Sequence, residues 1–347
     1  MKAILLLGGF GTRLRPLTAD TPKQMLPVCG RPMIEWVCEH LQRHGVSEVV
    51  LSLGYRAEAF TTAYPRGHIA QLPYEVAVEP EPLGTAGAVR FAAEASGITG
   101  PFFVLNGDVL TDLDLGALAS FHRSSGAEAT IALQPVADAT PYGLVVTDPS
   151  GRVLSFSEKP DPGTLGSSVP PRERPTISAG SYVLSSPVLD RIAPDRPVSI
   201  EREIFPQIVA DKALAALVSD TYWLDTGTPQ QYLAASLDIV EGRRPHARVP
   251  NVAAAVSASI HPTSRIRTSV LGSRCLIGPD AVVQRSVLGD GCRVDAGAVV
   301  IDSVLGPDVI VGAGALLSQF SVVGKGEQVA PGAVLRAQRQ PPPGLER

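Results

Sequence analysis

The sequence is short of the features that announce covalent or metal chemistry. Its four cysteines, Cys29, Cys38, Cys275 and Cys292, show neither CxxC nor metal-ligand spacing. A disulfide scaffold and a thiolate zinc site are therefore excluded, the cysteines read as small buried residues, and a reducing cytoplasm is expected. The six histidines, at positions 40, 44, 68, 122, 246 and 261, form no close set. With no Ser or Cys in an activated setting either, His-based acid-base and nucleophilic catalysis are not expected. No run of eighteen apolar residues occurs, so no membrane-spanning helix is expected. The opening MKAILLLGG imitates a signal peptide, but its apolar run stops after five residues and no small-residue cleavage site follows. A net charge of −4 lacks the positive excess of a nucleic-acid binder. What is present, 347 residues of which 44% are hydrophobic and 18% charged, suits a soluble globular chain large enough for two domains.

Against that background one stretch stands out, Leu5 to Pro27, LLLGGFGTRLRPLTADTPKQMLP. Lys2 to Leu7 is long enough for a buried strand. Gly8, Gly9 and Gly11 follow, where the backbone must take positive φ or approach a ligand with no Cβ between. Thr12, Arg13, Arg15 and Lys23 load the same turn with donors and charge, as a polyanion site requires. No Gly-Lys-Ser/Thr closes the loop, so it is not a P-loop. Leu14 stands where a dinucleotide fingerprint needs its third glycine.

Up to about residue 240 the pattern alternates strand and helix, which predicts an α/β domain with a largely parallel sheet. A helix is expected over Pro32 to His44, with Gly45 as its stop. Further strands are expected at Val49 to Leu53, Tyr74 to Val78 and Phe102 to Leu105, and helices at Arg56 to Tyr64 and Ala86 to Ala95. The strand at Phe102 runs into Asn106, Gly107 and Asp108, and open α/β sheets bind ligands just past the carboxyl ends of such strands. Asp112 and Asp114 read as turn and helix-cap acids. Hairpin-like strands are expected at Ala129 to Val136, Leu144 to Thr147 and Val153 to Glu158, and another strand at Ile177 to Leu184. Residues 160 to 176 read as a surface loop. Helices are expected near Pro187 to Ile192, at Glu201 to Ala210 and from Pro229 to Val240, with a strand at Leu214 to Val218. After a linker at 241 to 251, the tetrads Ser269-Val-Leu-Gly272, Ser286-Val-Leu-Gly289 and Ser303-Val-Leu-Gly306 recur every 17 residues, and Ser321-Val-Val-Gly324 comes 18 later. Apolar residues fall near every sixth position between them: Val270, Leu276, Val282, Val287, Val294, Val299, Val304, Val309 and Leu316. Three short strands per coil predict a β-helix over 252 to 336, with a flexible tail at 337 to 347.

GGFGTRLRPLTADTPKQMLPV resembles the signature of the sugar nucleotidyltransferases, in particular the mannose-1-phosphate guanylyltransferases. The resemblance covers nearly the whole chain and implies a Rossmann-like nucleotidyltransferase domain with a mixed, mostly parallel sheet, followed by a left-handed hexapeptide-repeat β-helix. It implies that Leu7, Gly8, Gly9, Gly11 and Thr12 wrap the nucleotide phosphates, that Arg13 pairs with the leaving pyrophosphate and that Lys23 lies at the α-phosphate. Arg15 is read as structural or solvent-facing. Asp108 in LNGDV and Asp225 in WLDTG match the family's Mg²⁺-binding positions, and hard carboxylate oxygens shared with substrate phosphates suit that ion. Gly84 and Thr85 fall in the base-recognition segment, where Thr85 read by itself would be a helix N-cap. Relatives that use uracil or thymine carry Gln where Glu79 stands. One carboxylate can accept from guanine N1 and N2 together, so Glu79 favours GTP. Gly143, Glu158, Lys159 and Ser178 match the sugar 1-phosphate subsite. Guanylyltransferases usually have Asn in place of Ser178, and the shorter hydroxyl leaves the acceptor sugar open.

The reaction implied is transfer of a nucleoside monophosphate, from GTP preferentially, to a sugar 1-phosphate, mannose 1-phosphate preferentially. WLDTGT and PKQMLPV also resemble glucose-1-phosphate thymidylyltransferases, which remain an alternative. A sugar-nucleotide-sensing subunit would have been free to lose Arg13, Lys23, Asp108, Lys159 and Asp225. A β-helix acyltransferase commonly uses a coil-interface His, for which only His261 is available. The β-helix is expected instead to mediate self-association into a homo-oligomer.

Overall fold

The structure, a computed structural model, describes residues 1–54, 56–160, 174–194, 196–244, 246–247, 252–254 and 257–342. The expected loop at 160–176 lies largely outside these residues, as do much of the linker and the end of the tail. Contacts divide the chain into two compact units, Met1–Gly9 with Ile34–Trp223, and Phe10–Met33 with Leu224–Arg347. By contacts, Leu224–Val240 and the segment after the first strand group with the β-helix.

In the first unit the strands Leu72–Val78, Glu48–Leu53, Lys2–Leu6 and Phe102–Asn106 lie side by side and parallel. Lys2–Leu6 is central, and its neighbours on the two sides follow it in opposite directions along the sheet. That makes its carboxyl end the point where strand order reverses, which is where open α/β sheets leave a crevice. The sheet is mixed beyond this: Thr176–Leu184 runs antiparallel to Phe102–Asn106 and to Ala129–Pro135, and Gly143–Thr147 pairs antiparallel with Val153–Glu158. Leu214–Val218 joins Ala129–Pro135 in parallel. Ile4, Val50, Val104 and Ile131 on the strands meet Ala86, Val89 and Ala93 from the helix Gly84–Ala95 in one buried core. That helix is alanine-rich because only small side chains let it lie close against the sheet.

Helix Met33–Arg43 buries Ile34, Val37, Cys38 and Leu41, the face its spacing predicts, and Gly45 at φ 74° follows its end. Asp114 caps the helix Leu115–Ser125, accepting from Ala117 N at 2.9 Å. The expected helix at Glu201–Ala210 is instead a π-turn, Ile200–Ile204, running into a short α-helix, Phe205–Ala210. The helix expected near Pro187 to Ile192 is present as a 3₁₀ helix, Ser186–Arg191. Among the described residues no helix is long and apolar enough to cross a membrane.

In the second unit, three parallel sheets of six, five and five short strands stack coil upon coil from Val252–Ala254 to Arg339–Gln340, the β-helix that the repeat predicts, left-handed as the family resemblance implies. Arg339–Gln340 pairs with Val322–Val323, so the coil continues past 336 into what was expected to be a flexible tail. Its interior is Ile277, Val283, Val294, Val300, Val311, Leu317, Val329 and Leu335, with Leu271, Leu288 and Leu305. The six-residue pattern had pointed in part to the wrong face. Leu276 is 51% exposed, and Val282, Val299 and Leu316 lie partly outside while the residue after each is buried. Strand side chains alternate, so a one-residue offset moves a side chain from core to solvent.

The recurring serines are structural. Ser269, Ser286, Ser303 and Ser321 are fully buried. Ser286 Oγ donates to Gln284 O at 2.8 Å and accepts from Ser303 N at 3.2 Å, while its own N donates to Ser269 Oγ at 3.2 Å. Each hydroxyl thereby serves backbone groups left over where the coil turns. Ser286→Ala is expected to cost about 1–3 kcal/mol, the penalty for leaving a buried N–H unpaired. Denaturant unfolding of the β-helix checks this, and an unchanged midpoint would contradict the role given to the hydroxyl.

Candidate active site

In the second unit the loop after the first strand is built from two short 3₁₀ turns, Thr12–Leu14 and Lys23–Met25. Gly11 has φ +63°, and a Cβ there would stand 3.0 Å from Thr18 Cγ2 and 3.4 Å from Lys23 Cβ, so both its conformation and its space demand glycine. Thr18 Oγ1 donates to Gly11 O at 2.8 Å, closing the loop on itself. Lys23 is 5% exposed, and its Nζ lies 3.9 Å from Asp225 Oδ1. A Cβ at Gly227 would be 2.7 Å from Arg13 Nη2 and 3.1 Å from Asp225 Oδ1. The absent side chain at Gly227 is what lets the exposed Arg13 guanidinium and the Asp225 carboxylate sit together. Arg13, Lys23 and Asp225 are therefore one cluster. Arg15, read as structural or solvent-facing, is half-buried.

In the first unit Leu7 is buried, and its N donates to Ser52 O at 3.0 Å. Gly8 follows the central strand, and a Cβ on it would lie 3.9 Å from Glu79 Oε1. Glu79 is 8% exposed. Its Oε1 accepts from Ser52 Oγ at 3.3 Å and its Oε2 from Leu83 N at 3.1 Å. A carboxylate offers about four lone-pair directions, so each oxygen keeps one for a ligand. Asp108, half-buried, stands two residues beyond the strand Phe102–Asn106. Gly107 before it donates to Leu6 O at 3.1 Å and leaves no room for a Cβ against Leu7.

Gly84 and Thr85 have structural partners. Gly84 is at φ +72°, and a Cβ would strike Val198 O at 2.6 Å. Thr85 is not the N-cap of its helix. Its Oγ1 donates to Glu201 Oε2 at 2.7 Å and accepts from Ile200 N at 2.9 Å.

Gly143 pairs with Glu158 across the hairpin, and a Cβ on it would lie 3.1 Å from Glu158 Oε2. Lys159 takes φ 48° and donates its N–H to Tyr142 O at 2.9 Å. Tyr142 meets Trp223 edge-on at 5.5 Å, and Trp223 Nε1 donates to Ala179 O at 2.9 Å, so the two expected sugar-side segments are tied together. Burial pushes the Glu158 carboxyl up, the neighbouring Glu201 adds to this, and Lys159 and Arg202 oppose it. Ser178 Oγ is buried close to the Tyr182 hydroxyl, which burial pushes up and which Glu201 and Glu158 push further.

Glu201 is the residue that sequence analysis missed. It bonds Thr85 and Ser199 and acts on Glu158 and Tyr182, so it links the segment after Glu79 to the segment around Gly143. A signal was available in SIERE. Ser199 Oγ accepts from Arg202 N while Glu203 accepts from Ser199 N, a capping arrangement that accounts for Ser199 and Glu203 and leaves Glu201 over.

The chemistry on offer is electrostatic. Burial pushes the Cys29 thiol up to about 12 and lowers His122, which is held between Thr130 and Ser185, so neither is poised to react. Cations and carboxylates grouped on a glycine loop can bind and neutralise a polyanion.

Comparison with known proteins agrees with this. Residues 2–242 match the family model described as nucleotidyl transferase, and residues 248–342 match the GMPPB C-terminal domain. A probable mannose-1-phosphate guanylyltransferase 1 of Oryza sativa subsp. japonica is 38% identical over 80% of this chain and 75% of its own. The mannose-1-phosphate guanyltransferase of Schizosaccharomyces pombe is 38% identical over 79% and 74%. That of Mycobacterium tuberculosis is 39% identical over 70% and 66%. The crystal structure of HddC from Yersinia pseudotuberculosis is similar over 68% of this chain and 97% of that one, with a TM-score of 0.57 at 29% identity. The chain thus belongs to the nucleotidyl transferase family and is a nucleotidyltransferase.

Proposed function

We propose that this chain transfers GMP from GTP to mannose 1-phosphate, releasing pyrophosphate and GDP-mannose. The observation that carries the reading is the cluster of Arg13, Lys23 and Asp225 around Gly227, and the names of the similar proteins support the choice of substrates. A phosphate oxygen of the sugar 1-phosphate attacks the α-phosphorus of GTP, and the bond to the bridging oxygen breaks as pyrophosphate leaves with the electron pair. The attacking monoester is already an anion near neutral pH, so no general base is required. Leu7, Gly8, Gly9, Gly11 and Thr12 present backbone to the triphosphate, Lys23 neutralises the α-phosphate and Arg13 the departing pyrophosphate. Glu79 accepts from the guanine edge. Glu158 accepts from sugar hydroxyls, and Lys159 holds the sugar phosphate beside Gly143 and Ser178. Catalysis comes from aligning two polyanions and relieving their repulsion.

The residues fit Mg²⁺. Among the described residues no group of three or more His, Cys, Asp or Glu could hold a metal. The hard carboxylate oxygens we assign to Mg²⁺ are those of Asp108 and Asp225, the ion's other positions being ones that phosphate and water usually fill. Bound there, the ion would neutralise charge on the phosphate oxygens. The setting we assign is the cytoplasm, with self-association through the β-helix.

The test is pyrophosphate release with Mg²⁺, five nucleoside triphosphates and a panel of sugar 1-phosphates. GTP with mannose 1-phosphate should turn over fastest. No turnover with any pair would favour a sensor. WLDTGT and PKQMLPV keep a second reading in view, thymidylyl transfer to glucose 1-phosphate, and the same panel separates the two. Glu79→Gln should lower the ratio of kcat/KM for GTP over other triphosphates by about tenfold or more, because an amide cannot accept two guanine donors together. An unchanged ratio would remove Glu79 from base recognition.

A further inference from the structure

Gly272, Gly289, Gly306 and Gly324 hold one position in successive coils. At the first three, the space for a Cβ is taken by the next coil: Asp290 N at 2.6 Å, Pro307 N at 2.7 Å and Lys325 N at 2.8 Å. At Gly324 the place is shared. A Cβ there would meet Pro16 Cβ at 3.0 Å and Pro16 Cγ at 3.2 Å, with Pro341 Cδ at 3.2 Å on the coil side. One residue further on, Lys325 Nζ lies 3.4 Å from Asp20 Oδ2. The loop from Pro16 to Asp20 is therefore seated on the end of the β-helix. Leu17, Asp20 and Met25 line a cleft of about 440 Å³ together with Val287, Leu305 and Lys325 of the coils.

Those two contacts bracket Thr18. Its hydroxyl donates to Gly11 O and its methyl lies against Gly11, which in turn lies against Lys23 Cβ. A shift at Pro16 or Asp20 therefore reaches Gly11 through the Thr18 hydroxyl, and the Lys23 side chain stands beside the space that the missing Gly11 Cβ leaves. We infer that the last coil of the β-helix positions the triphosphate loop, with Gly324 and Lys325 as positioning residues for chemistry carried at the other end of the chain. The inference rests on the roles proposed above for Arg13 and Lys23.

Gly324 is not among the glycines at positive φ, so Gly324→Val tests space and not backbone strain. In the full-length enzyme, kcat/KM for GTP should fall about tenfold or more, since a misplacement of 1 Å can cost about a hundredfold. The KM for mannose 1-phosphate should stay at its original value. Pro16→Gly combined with Gly324→Val removes the opposing Cβ and should restore most of the loss. The exposed charge pair gives an independent test that does not load the fold: Lys325→Asp should lower kcat/KM for GTP a few-fold, and Asp20→Lys with Lys325→Asp should recover it. If Gly324→Val unfolds the chain, the charge pair decides. The inference is overturned if the variants match the parent enzyme in kcat/KM for GTP, or if losses fall equally on both substrates and neither double variant rescues them. Lys23→Met run alongside separates the two levels. Full activity in that variant would sink the proposed role of the loop, whereas lost activity there with unaffected Gly324→Val and Lys325→Asp would sink only the platform.

Discussion

Asp108→Asn is expected to lower kcat by about a thousandfold, close to 4 kcal/mol of transition-state stabilisation, while leaving the fold intact. The substitution keeps the shape and one carbonyl oxygen of the side chain. What it removes is the negative charge that draws a hard divalent cation toward the phosphates. Asp108 is only half-buried, and the glycine that places it, Gly107, is held by its own bond to Leu6 O. The thermal midpoint should therefore stay within a few degrees. Steady-state kinetics over a range of Mg²⁺ should show both lower kcat and a higher requirement for the ion. Residual turnover within tenfold of the parent enzyme would remove Asp108 from the reaction.

The second large effect belongs to Lys23. Lys23→Met preserves the length and apolar stem of a buried side chain and deletes the ammonium that lies 3.9 Å from Asp225. The loss of one fixed cation aimed at developing phosphate charge should cost about 10² to 10³ in kcat. Stability should change little, because Asp225 is itself partly exposed and keeps the Arg13 guanidinium beside it. Single-turnover measurement with the α-phosphate labelled would locate the defect in the chemical step. A loss smaller than fivefold would reduce Lys23 to a structural partner of Asp225.

The glycine loop, the alternation of strand and helix and the seventeen-residue repeat were legible because each is a local pattern. Helix Met33–Arg43 and its buried face follow from spacing within a few turns, and Asp114 caps its helix as its position before Leu115 implies. Where the pattern was ambiguous, the reading slipped. Leu276-Ile277, Val282-Val283, Val299-Val300 and Leu316-Leu317 are apolar doublets, so either member could face inward, and the second of each does. Thr85 looked like a helix cap because Thr often is one, but its hydroxyl is taken by Glu201 and Ile200. Glu201 was legible only by elimination within SIERE, because Thr85, the partner that ties it to the segment after Glu79, lies 116 residues away.

By itself the sequence determined the kind of reaction and the elements of the fold, because glycines that must bend, cations gathered on one loop and a coil that must repeat all leave local marks. Only the tertiary structure decided which residues act together. It brought Arg13 and Lys23 to Asp225 around the missing side chain of Gly227, tied the segment after Glu79 to Glu158 through Glu201, and set Pro16 on Gly324. These are packing relations between distant stretches. They depend on which side chains fill the same few ångströms, and no window of sequence contains both members of such a pair.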